Sequence, residues 1–450
     1  MLVPSARVVA ATVIARVTAD KAFAAAALDA ELDRAVQLDA RDRALATELV
    51  YGTLRLLGWL ELRIGRHARR GIDKLDPLVF AHLAVAAYQI LVLTRVPAFA
   101  AVSEAVSAVR AARGARVAGF ANAVLRKVAA EPRPTPEELS RAAFESTDPS
   151  LRASIVRAIG EDAALALLGA HEGAPPLGLR IEDAAERDAW LERLRAARPN
   201  ATFEAGRVSP HAVLARGAGK VVELPGYDDG AWTPQEEGSQ LVALALGARS
   251  GEAVLDACAG RGNKTGLLAR AVGPAGSVDA ADVHPKKLDR LTHELERIGC
   301  RPRATFAVDW SRGTGEAAAP DARGYDRVLV DAPCSGTGTL RRRPELALRR
   351  SSGDVRELAA LQRSILARAA TLVRPGGRVV YAVCSVLREE AEDVLADVVA
   401  AAGLEPAPFD APAAAALAGA SATLRLLPHE HGTDGYFVAS LVRPSRSERS

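Results

Sequence analysis

Arg327-Val-Leu-Val-Asp-Ala-Pro-Cys-Ser-Gly-Thr-Gly338 decides the reading of this 450-residue chain. Val328, Leu329 and Val330 form a short apolar run rich in β-branched residues, the pattern of a strand buried on both faces. The run stops at Asp331, and Pro333, Gly336 and Gly338 make the next stretch a loop. In an open parallel sheet, ligands sit in the crevice outside the carboxyl ends of the strands. One carboxylate, Asp331, and one thiol, Cys334, are thereby placed at an expected site. Arg341, Arg342 and Arg343 come within a few residues, placed to hold phosphates that flank the site. A second apolar run, Arg378–Val383, ends the same way, in Cys384. Cys384, Cys334 and Asp331 are the expected centre.

Strand–helix alternation extends on both sides. Strands are expected at 253–257, 277–282, 304–308, 327–331 and 378–383, with helices at 265–272, 285–298 and 355–372 between them. Two late strands, 423–427 and 436–442, suit an antiparallel edge. This is a doubly wound α/β domain over 231–443. Upstream, residues 1–130 read as consecutive Ala-rich helices, an all-α bundle. Glu131-Pro-Arg-Pro-Thr-Pro-Glu137 holds three prolines and marks a linker at 131–137. Residues 138–230 read as a small α/β adaptor, with strands at 177–181 and 212–214 and helices at 151–159 and 184–197.

Charge separates these parts. Residues 1–130 carry 18 Lys and Arg against 11 Asp and Glu, so a surplus of +7 sits in a chain whose total is +3. A basic module on a near-neutral body points to an anionic partner, and equally to a solvated basic face. No apolar run reaches membrane-spanning length and no signal-peptide pattern opens the chain, so it is expected to be cytoplasmic, without a membrane partner. The four cysteines, Cys258, Cys300, Cys334 and Cys384, form no CxxC pair, which argues against a zinc site or a disulfide framework. His82, His211 and His293 have no ligand spacing, and no metal is expected.

A nucleoside cofactor is expected at the first turn. Cys258-Ala-Gly-Arg-Gly-Asn-Lys264 lies between the first strand and its helix, and Gly260 and Gly262 allow close backbone approach. The spacing to Lys264 is too short for a Walker loop. Asp282 ends the second strand where an acid can grip a ribose diol, Asp309 follows the third and suits an adenine amino group, and Asp331 ends the fourth. Three strand-end acids without a phosphate cradle suit S-adenosyl-L-methionine better than a dinucleotide.

Asp331-Ala-Pro-Cys-Ser-Gly-Thr-Gly338 with Tyr381-Ala-Val-Cys-Ser-Val386 resembles the Sun/Fmu family of RNA 5-methylcytosine methyltransferases. Arg374-Pro-Gly-Gly377 and Thr433-Asp-Gly-Tyr-Phe437 match further family signatures. With an N-terminal domain like the antitermination factor NusB, the whole chain resembles the RsmB branch, which modifies small-subunit ribosomal RNA. The resemblance implies a Rossmann-like S-adenosylmethionine-dependent methyltransferase domain joined to a NusB-like RNA-binding bundle. It implies that Cys384 is the nucleophile, that Cys334 assists product release, and that Asp331 contacts the base and bounds the cofactor pocket. Cys258, Ala259, Gly260, Arg261, Gly262, Asn263, Lys264, Asp282 and Asp309 match its cofactor-contacting positions. The family's Ala-Pro-Gly-Gly-Lys is here Gly260-Arg-Gly-Asn-Lys264, which bears on cofactor affinity; Asn263 tolerates a left-handed backbone better than most residues. The expected partner is 16S ribosomal RNA, free or in an early small-subunit particle, and the enzyme is expected to be a monomer. A tRNA methyltransferase, a DNA methyltransferase and a non-catalytic RNA-binding or antitermination protein are the alternatives. The two cysteines with Asp331 argue against a silent protein, and the second cysteine and helical domain favour RNA over DNA.

The chemistry explains the residue types. Carbon 5 of cytosine is a poor nucleophile until a thiolate adds to carbon 6, and Cys supplies a thiolate near neutral pH. An acid at the ring nitrogen stabilises the charge that develops. A base must then remove the carbon 5 proton so that the thiol can leave, a step open to Cys334 or a water it positions. The base must also leave its stack to reach such a pocket.

Overall fold

The computed structural model describes residues 5–68, 71–169, 174–313, 324–349 and 352–445. Its contacts divide the chain into two units: Met1–Pro175 with Thr339–Arg350, and Pro176–Gly338 with Ser351–Ser450. These divisions cut across the boundaries expected from composition. The helical unit runs past the proline-rich stretch to Pro175, and it takes in a short segment from beyond Cys334.

The helical unit is built on Pro77–Leu91, in which every residue from Val79 onward is buried. Asp76 caps it by accepting from the backbone of Leu78 and Val79, and Pro77 at the first helical position needs no partner for an N–H. Ala6–Ala19, Ala24–Arg34, Ala40–Arg55, Leu57–Gly65 and Ala98–Val128 pack around it, with Ile14, Leu49, Leu60, Leu83 and Leu125 fully buried in the shared core. Ala98–Val128 is broken at Gly114, whose φ of +82° favours glycine. Pro136 does not end order. It starts the helix Pro136–Ser146 behind a capping box in which Thr135 and Glu138 satisfy each other's backbone N–H. Pro149–Ile159 and Glu161–Gly169 complete the unit's helices upstream of Pro175.

The second unit carries two sheets. The smaller contains β1 (Leu177–Ile181), β2 (Thr202–Ala205), β3 (Ala212–Arg216) and β4 (Trp232–Pro234), antiparallel in the order β2-β3-β1-β4. β2 and β4 go beyond the sequence-based expectation, because each is too short to show alternation. The larger contains β5 (Ala253–Asp256), β6 (Ser277–Asp282), β7 (Ala304–Ala307), β8 (Tyr325–Asp331), β9 (Val373–Val383), β10 (Glu405–Pro406), β11 (Thr423–Leu426) and β12 (Tyr436–Val442). Its order is β10-β12-β9-β8-β5-β6-β7, with β11 also on β12. β5 to β9 pair in parallel, and β12 runs antiparallel to β9, as the expected edge.

Burial explains why the strand runs are apolar throughout. Val328, Val330, Val379, Tyr381 and Val383 face one core, against the helix that contributes Ile365, Leu366 and Ala369. Leu329, Val380 and Ala382 face the other, against Leu241, Val242, Leu268 and Val272. Each fully buried Val or Leu contributes roughly 1.5–3 kcal/mol. Arg327, the polar residue that opens the run, is buried but satisfied. It donates to Glu252 at 2.7 Å, to the Leu246 carbonyl at 2.6 Å and to Asp410 at 3.1 Å. The order places the topological switch between β5 and β8, so the crevice opens at the ends carrying Asp256 and Asp331.

Candidate active site

β8 and β9 pair in register, with Asp331 opposite Ala382, so the two strands end together. Cys384 leaves the end of β9, and Cys334 lies on the loop after β8. Their sulfurs are 3.3 Å apart, and neither forms a disulfide. Two backbone bonds tie the loops together: Ala332 N–H donates to the Ala382 carbonyl at 2.9 Å, and Gly338 N–H to the Cys384 carbonyl at 3.0 Å. Gly338 also crosses Gly435, whose N–H donates to the Gly338 carbonyl at 2.8 Å. A Cβ on Gly338 would fall on the Gly435 peptide, with the carbonyl carbon only 2.6 Å away. That close approach is the physical use of the glycine in Thr433-Asp-Gly-Tyr-Phe437.

Lys264 brings the first turn to this centre. Its Nζ donates to Asp331 Oδ2 at 2.6 Å, with both side chains mostly covered. Burial alone would lower its proton affinity, but the charge and hydrogen bond of Asp331, together with Asp256 and Cys384, raise it above the ordinary lysine range. Lys264 is therefore a cation fixed on Asp331. Cys334 goes the other way: its hydrogen bond to Cys384, burial and the nearby Glu390 push its thiol well up. Burial beside Asp256, Asp331 and Asp282 likewise pushes Cys258 well up, so it is a lining thiol and not a nucleophile.

The glycine turn is held from below. Gly260 and Gly262 have φ of +59° and +88°, and Gly262 packs on Leu291 where no Cβ would fit. Asn263 is the first residue of the helix Asn263–Val272 and has no positive φ, so no left-handed demand falls on it. Its carbonyl instead accepts from Arg180, a fully buried residue of β1 that also binds Glu182 at 2.5 Å and Gln235 at 2.6 Å. The small sheet thus buttresses the first turn of the large one. Arg261 is exposed, and Ala259 is buried, its N–H donating to the Ala281 carbonyl at 2.9 Å.

Of the expected acids, Asp282 accepts from Gly260 N–H at 3.1 Å and His284 N–H at 2.8 Å, which fixes the turn to β6. Asp309 is exposed, and Ser311, donating from both hydroxyl and backbone, holds its carboxyl below the usual range. An acid that sequence reasoning missed completes the set. Asp256, at the end of β5, is fully buried, and burial pushes it up to about 6 even though Thr265 donates to it and Lys264 lies close. Its Oδ1 has no partner among the described residues. A buried acceptor without a donor, beside a glycine turn and a strand-end acid with spare lone pairs, fits a ligand that carries an amine and a ribose.

Arg341, Arg342 and Arg343 follow the Cys334 loop in the chain. They belong to the helical unit, where the Arg341 carbonyl accepts from Arg55 at 3.3 Å. There the three arginines line a cavity of about 290 Å³ with Tyr51, Arg55 and Glu48. His82 and His211 are buried or half-buried and lowered by that burial, and no metal-binding cluster exists among the described residues. No helix among the described residues is long and apolar enough to cross a membrane.

Comparison with known proteins shows the family and the fold. Residues 243–442 match the family model described as 16S rRNA methyltransferase RsmB/F, and residues 4–130 match the NusB family. A Mycobacterium tuberculosis relative with a general methyltransferase name is 38% identical over 431 residues, covering 90% of this chain and 89% of its own. The ribosomal RNA small subunit methyltransferase B of Sodalis glossinidius is 32% identical over 446 residues, covering 98% of both chains. That of Erwinia tasmaniensis is 31% identical, covering 90% of this chain and 91% of its own. Among solved structures, PH0851 superposes with a TM-score of 0.80 at 23% identity, covering 98% of this chain and 99% of its own. NSun6 from Pyrococcus horikoshii, solved with SFG, superposes with a TM-score of 0.55 at 17% identity, covering 66% of this chain and 98% of its own. The fold and the order of the two domains are thus shared ground, and the chain belongs to the RsmB/F family of 16S ribosomal RNA methyltransferases, with a NusB-family domain at its N-terminus.

Proposed function

We propose that this protein methylates carbon 5 of a cytosine in 16S ribosomal RNA through a covalent adduct on Cys384. The observation that carries the reading is the pair of thiols 3.3 Å apart beside the Lys264–Asp331 ion pair. S-adenosyl-L-methionine is the cofactor, and when bound it supplies an electrophilic methyl group. Asp256, Asp282 and the Gly260–Lys264 turn would hold it, with Asp331 bounding the pocket and Asp309 available to an adenine amino group.

The thiolate of Cys384, with the Lys264 cation nearby, adds to carbon 6 of the ring. The ring's electrons shift toward carbon 5, and Asp331 stabilises the charge that develops at the ring nitrogen. Carbon 5 then accepts the methyl group. Cys334, or a water on it, takes the carbon 5 proton; the carbon 5–carbon 6 double bond re-forms and the sulfur of Cys384 leaves as thiolate. The helical unit contributes RNA affinity, its arginine-lined cavity taking phosphates.

Bisulfite sequencing of 16S RNA tests the reading in a deletion strain carrying either the wild-type gene or Cys384→Ala. One cytosine should be protected only with the wild type. Protection of a tRNA cytosine instead would move the enzyme to the tRNA class. On a denaturing gel Cys384→Ala should form no protein–RNA adduct, and Cys334→Ala should accumulate one. The reverse pattern would mean that the two roles are exchanged.

A further inference from the structure

The loop that carries Cys334 is held by a buried polar cluster that takes no part in the chemistry of addition and methyl transfer. Glu390 sits in the turn Arg388–Glu390 after β9 and is fully buried. Its Oε1 accepts from the Ser335 N–H at 2.7 Å and from Gln362 Nε2 at 3.0 Å. Its Oε2 accepts from the Ser335 hydroxyl at 2.5 Å. Gln362, also fully buried, donates to the Pro333 carbonyl at 2.9 Å. The peptide groups on both sides of Cys334 are therefore held by one Glu–Gln pair. Tyr381 of β9 donates to the Glu390 carbonyl at 2.7 Å and fixes the turn in return.

The same cluster reaches the other cysteine. Ser385, next to Cys384, lies 3.3 Å from the Ser335 hydroxyl and 3.0 Å from that of Thr337. Thr337 accepts from Val386 N–H at 3.1 Å, and Ser385 from Leu387 N–H at 3.1 Å. Among the described residues no Lys, Arg or His pairs with Glu390. A buried carboxylate without a cation is costly, so its three donors must compensate for lost water. Such a group is poor value as a pure stabiliser, since an apolar replacement is often as stable. It does supply two acceptor oxygens in fixed directions, which no amide or hydroxyl can.

We infer that Glu390, with Gln362, is a positioning residue for Cys334, setting the geometry of proton removal and thiol release rather than of attack. Resting on the proposed cytosine chemistry, this assigns a separate support to each half of the cycle. Lys264 serves Cys384 at addition, and Glu390 serves Cys334 at elimination. Glu390→Gln keeps the shape but turns one acceptor into a donor. With its NH2 at the Oε1 position the amide faces the Ser335 N–H and the Gln362 amide without an acceptor. At the Oε2 position it reverses the bond to the Ser335 hydroxyl, which must then turn its own hydrogen toward Ser385 or Thr337. In both the negative charge is gone. Ser335→Ala removes the hydroxyl, with its bonds to Glu390, Ser385 and Thr337, and leaves the backbone bond to Glu390.

The test is the ratio of denaturant-resistant adduct to methylated product, measured on full-length protein with 16S RNA and S-adenosylmethionine, alongside Cys334→Ala and a thermal melt of each variant. Glu390→Gln should raise the ratio roughly ten- to a hundredfold, a part of what a general base contributes. Ser335→Ala should raise it less, in the same direction. It keeps the inference testable if Glu390→Gln does not fold. Adduct and product falling together at a constant ratio would make the cluster structural only and overturn the inference. A wild-type ratio in both variants, with Cys334→Ala accumulating adduct, would overturn it as well while leaving the release role of Cys334 intact. If Cys334→Ala itself accumulates none, the release role fails first, and the inference falls with it.

Discussion

Gly338→Ala is the sharpest perturbation of this site. The added methyl would point at the Gly435 peptide, 2.6 Å from its carbonyl carbon and 2.8 Å from its Cα. Both partners are backbone, so no side chain can swing away. Opening that contact to an ordinary separation requires the two loops to part by roughly 1 Å, at a cost of about 1–3 kcal/mol for overpacking. The shift also loosens the Gly338–Cys384 and Gly435–Gly338 backbone bonds, worth roughly 1 kcal/mol each. The sum is about 3–5 kcal/mol, and the melting temperature should fall by roughly 6–10 °C. The effect on turnover should be larger than stability alone explains. The Gly338 bond fixes the Cys384 carbonyl, and a misplacement of about 1 Å at a reacting group can cost roughly a hundredfold. Gly435→Ala provides the internal scale. Its Cβ would meet Gly338 Cα at 2.8 Å and Val386 at 3.0 Å, so the change should be milder. Transfer of labelled methyl into 16S RNA, with melting followed in parallel, reads both effects. Wild-type turnover in folded Gly338→Ala would refute the idea that the crossing aligns the cysteine loops.

Asp282→Ala leaves Gly260 N–H and His284 N–H without their acceptor and removes the ribose contact, so calorimetry should show cofactor binding weakened by roughly 1–3 kcal/mol; unchanged affinity would reject the assignment. His82 is buried and lowered to about 4 by that burial, below its unfolded value, so the neutral form is the folded one; its contribution is complete above the unfolded value and is lost as pH falls. Acidification from about pH 7 to about pH 5 should cost about 2 kcal/mol through this residue, and His82→Leu should flatten that part of a denaturation-versus-pH curve. Arg342→Glu with Arg343→Glu should lower the slope of log affinity for RNA against log salt by about 0.7–0.9 for each phosphate no longer neutralised, and an unchanged slope would remove these arginines from the RNA surface.

The candidate centre is legible in the sequence because a parallel sheet puts the ends of its apolar runs in one place. Asp331, Cys334 and Cys384 need only that rule. Asp256 does not stand out, since the expected strand 253–257 runs past it and the observed one ends on it, and its unpartnered oxygen in the fold marks it. Glu390 is hidden for a different reason. In Arg388-Glu-Glu-Ala-Glu-Asp393 it looks like one of several acids at the start of a solvated helix, yet it is fully buried while Arg388 is exposed and Glu389 half-buried. Proximity in sequence puts Arg341–Arg343 beside the cysteines. The chain leaves that unit at Gly338, so nearness along the backbone does not reveal that they pack with the N-terminal helices. Three prolines look like a linker and so assign residues 138–175 to an adaptor, whereas Pro136 occupies the first turn of a capped helix, where proline is favoured.

The membership of Thr339–Arg350 in the helical unit has a consequence for how the protein is made. Within that unit Glu345 accepts from the Ala24 N–H at 3.3 Å, Arg349 lies over the Phe23 ring at 5.0 Å and donates to the Ala22 carbonyl, and Leu340, Pro344 and Leu346 are buried. Chains fold as they emerge, N-terminal units first. Here the N-terminal unit is synthesised early but lacks its final piece until β5 to β8 have left the ribosome. Its surface for that piece stays open through most of translation. Completion of the first unit to be translated thus waits on the second, and a nascent chain stalled before Arg350 would hold neither unit in its finished state.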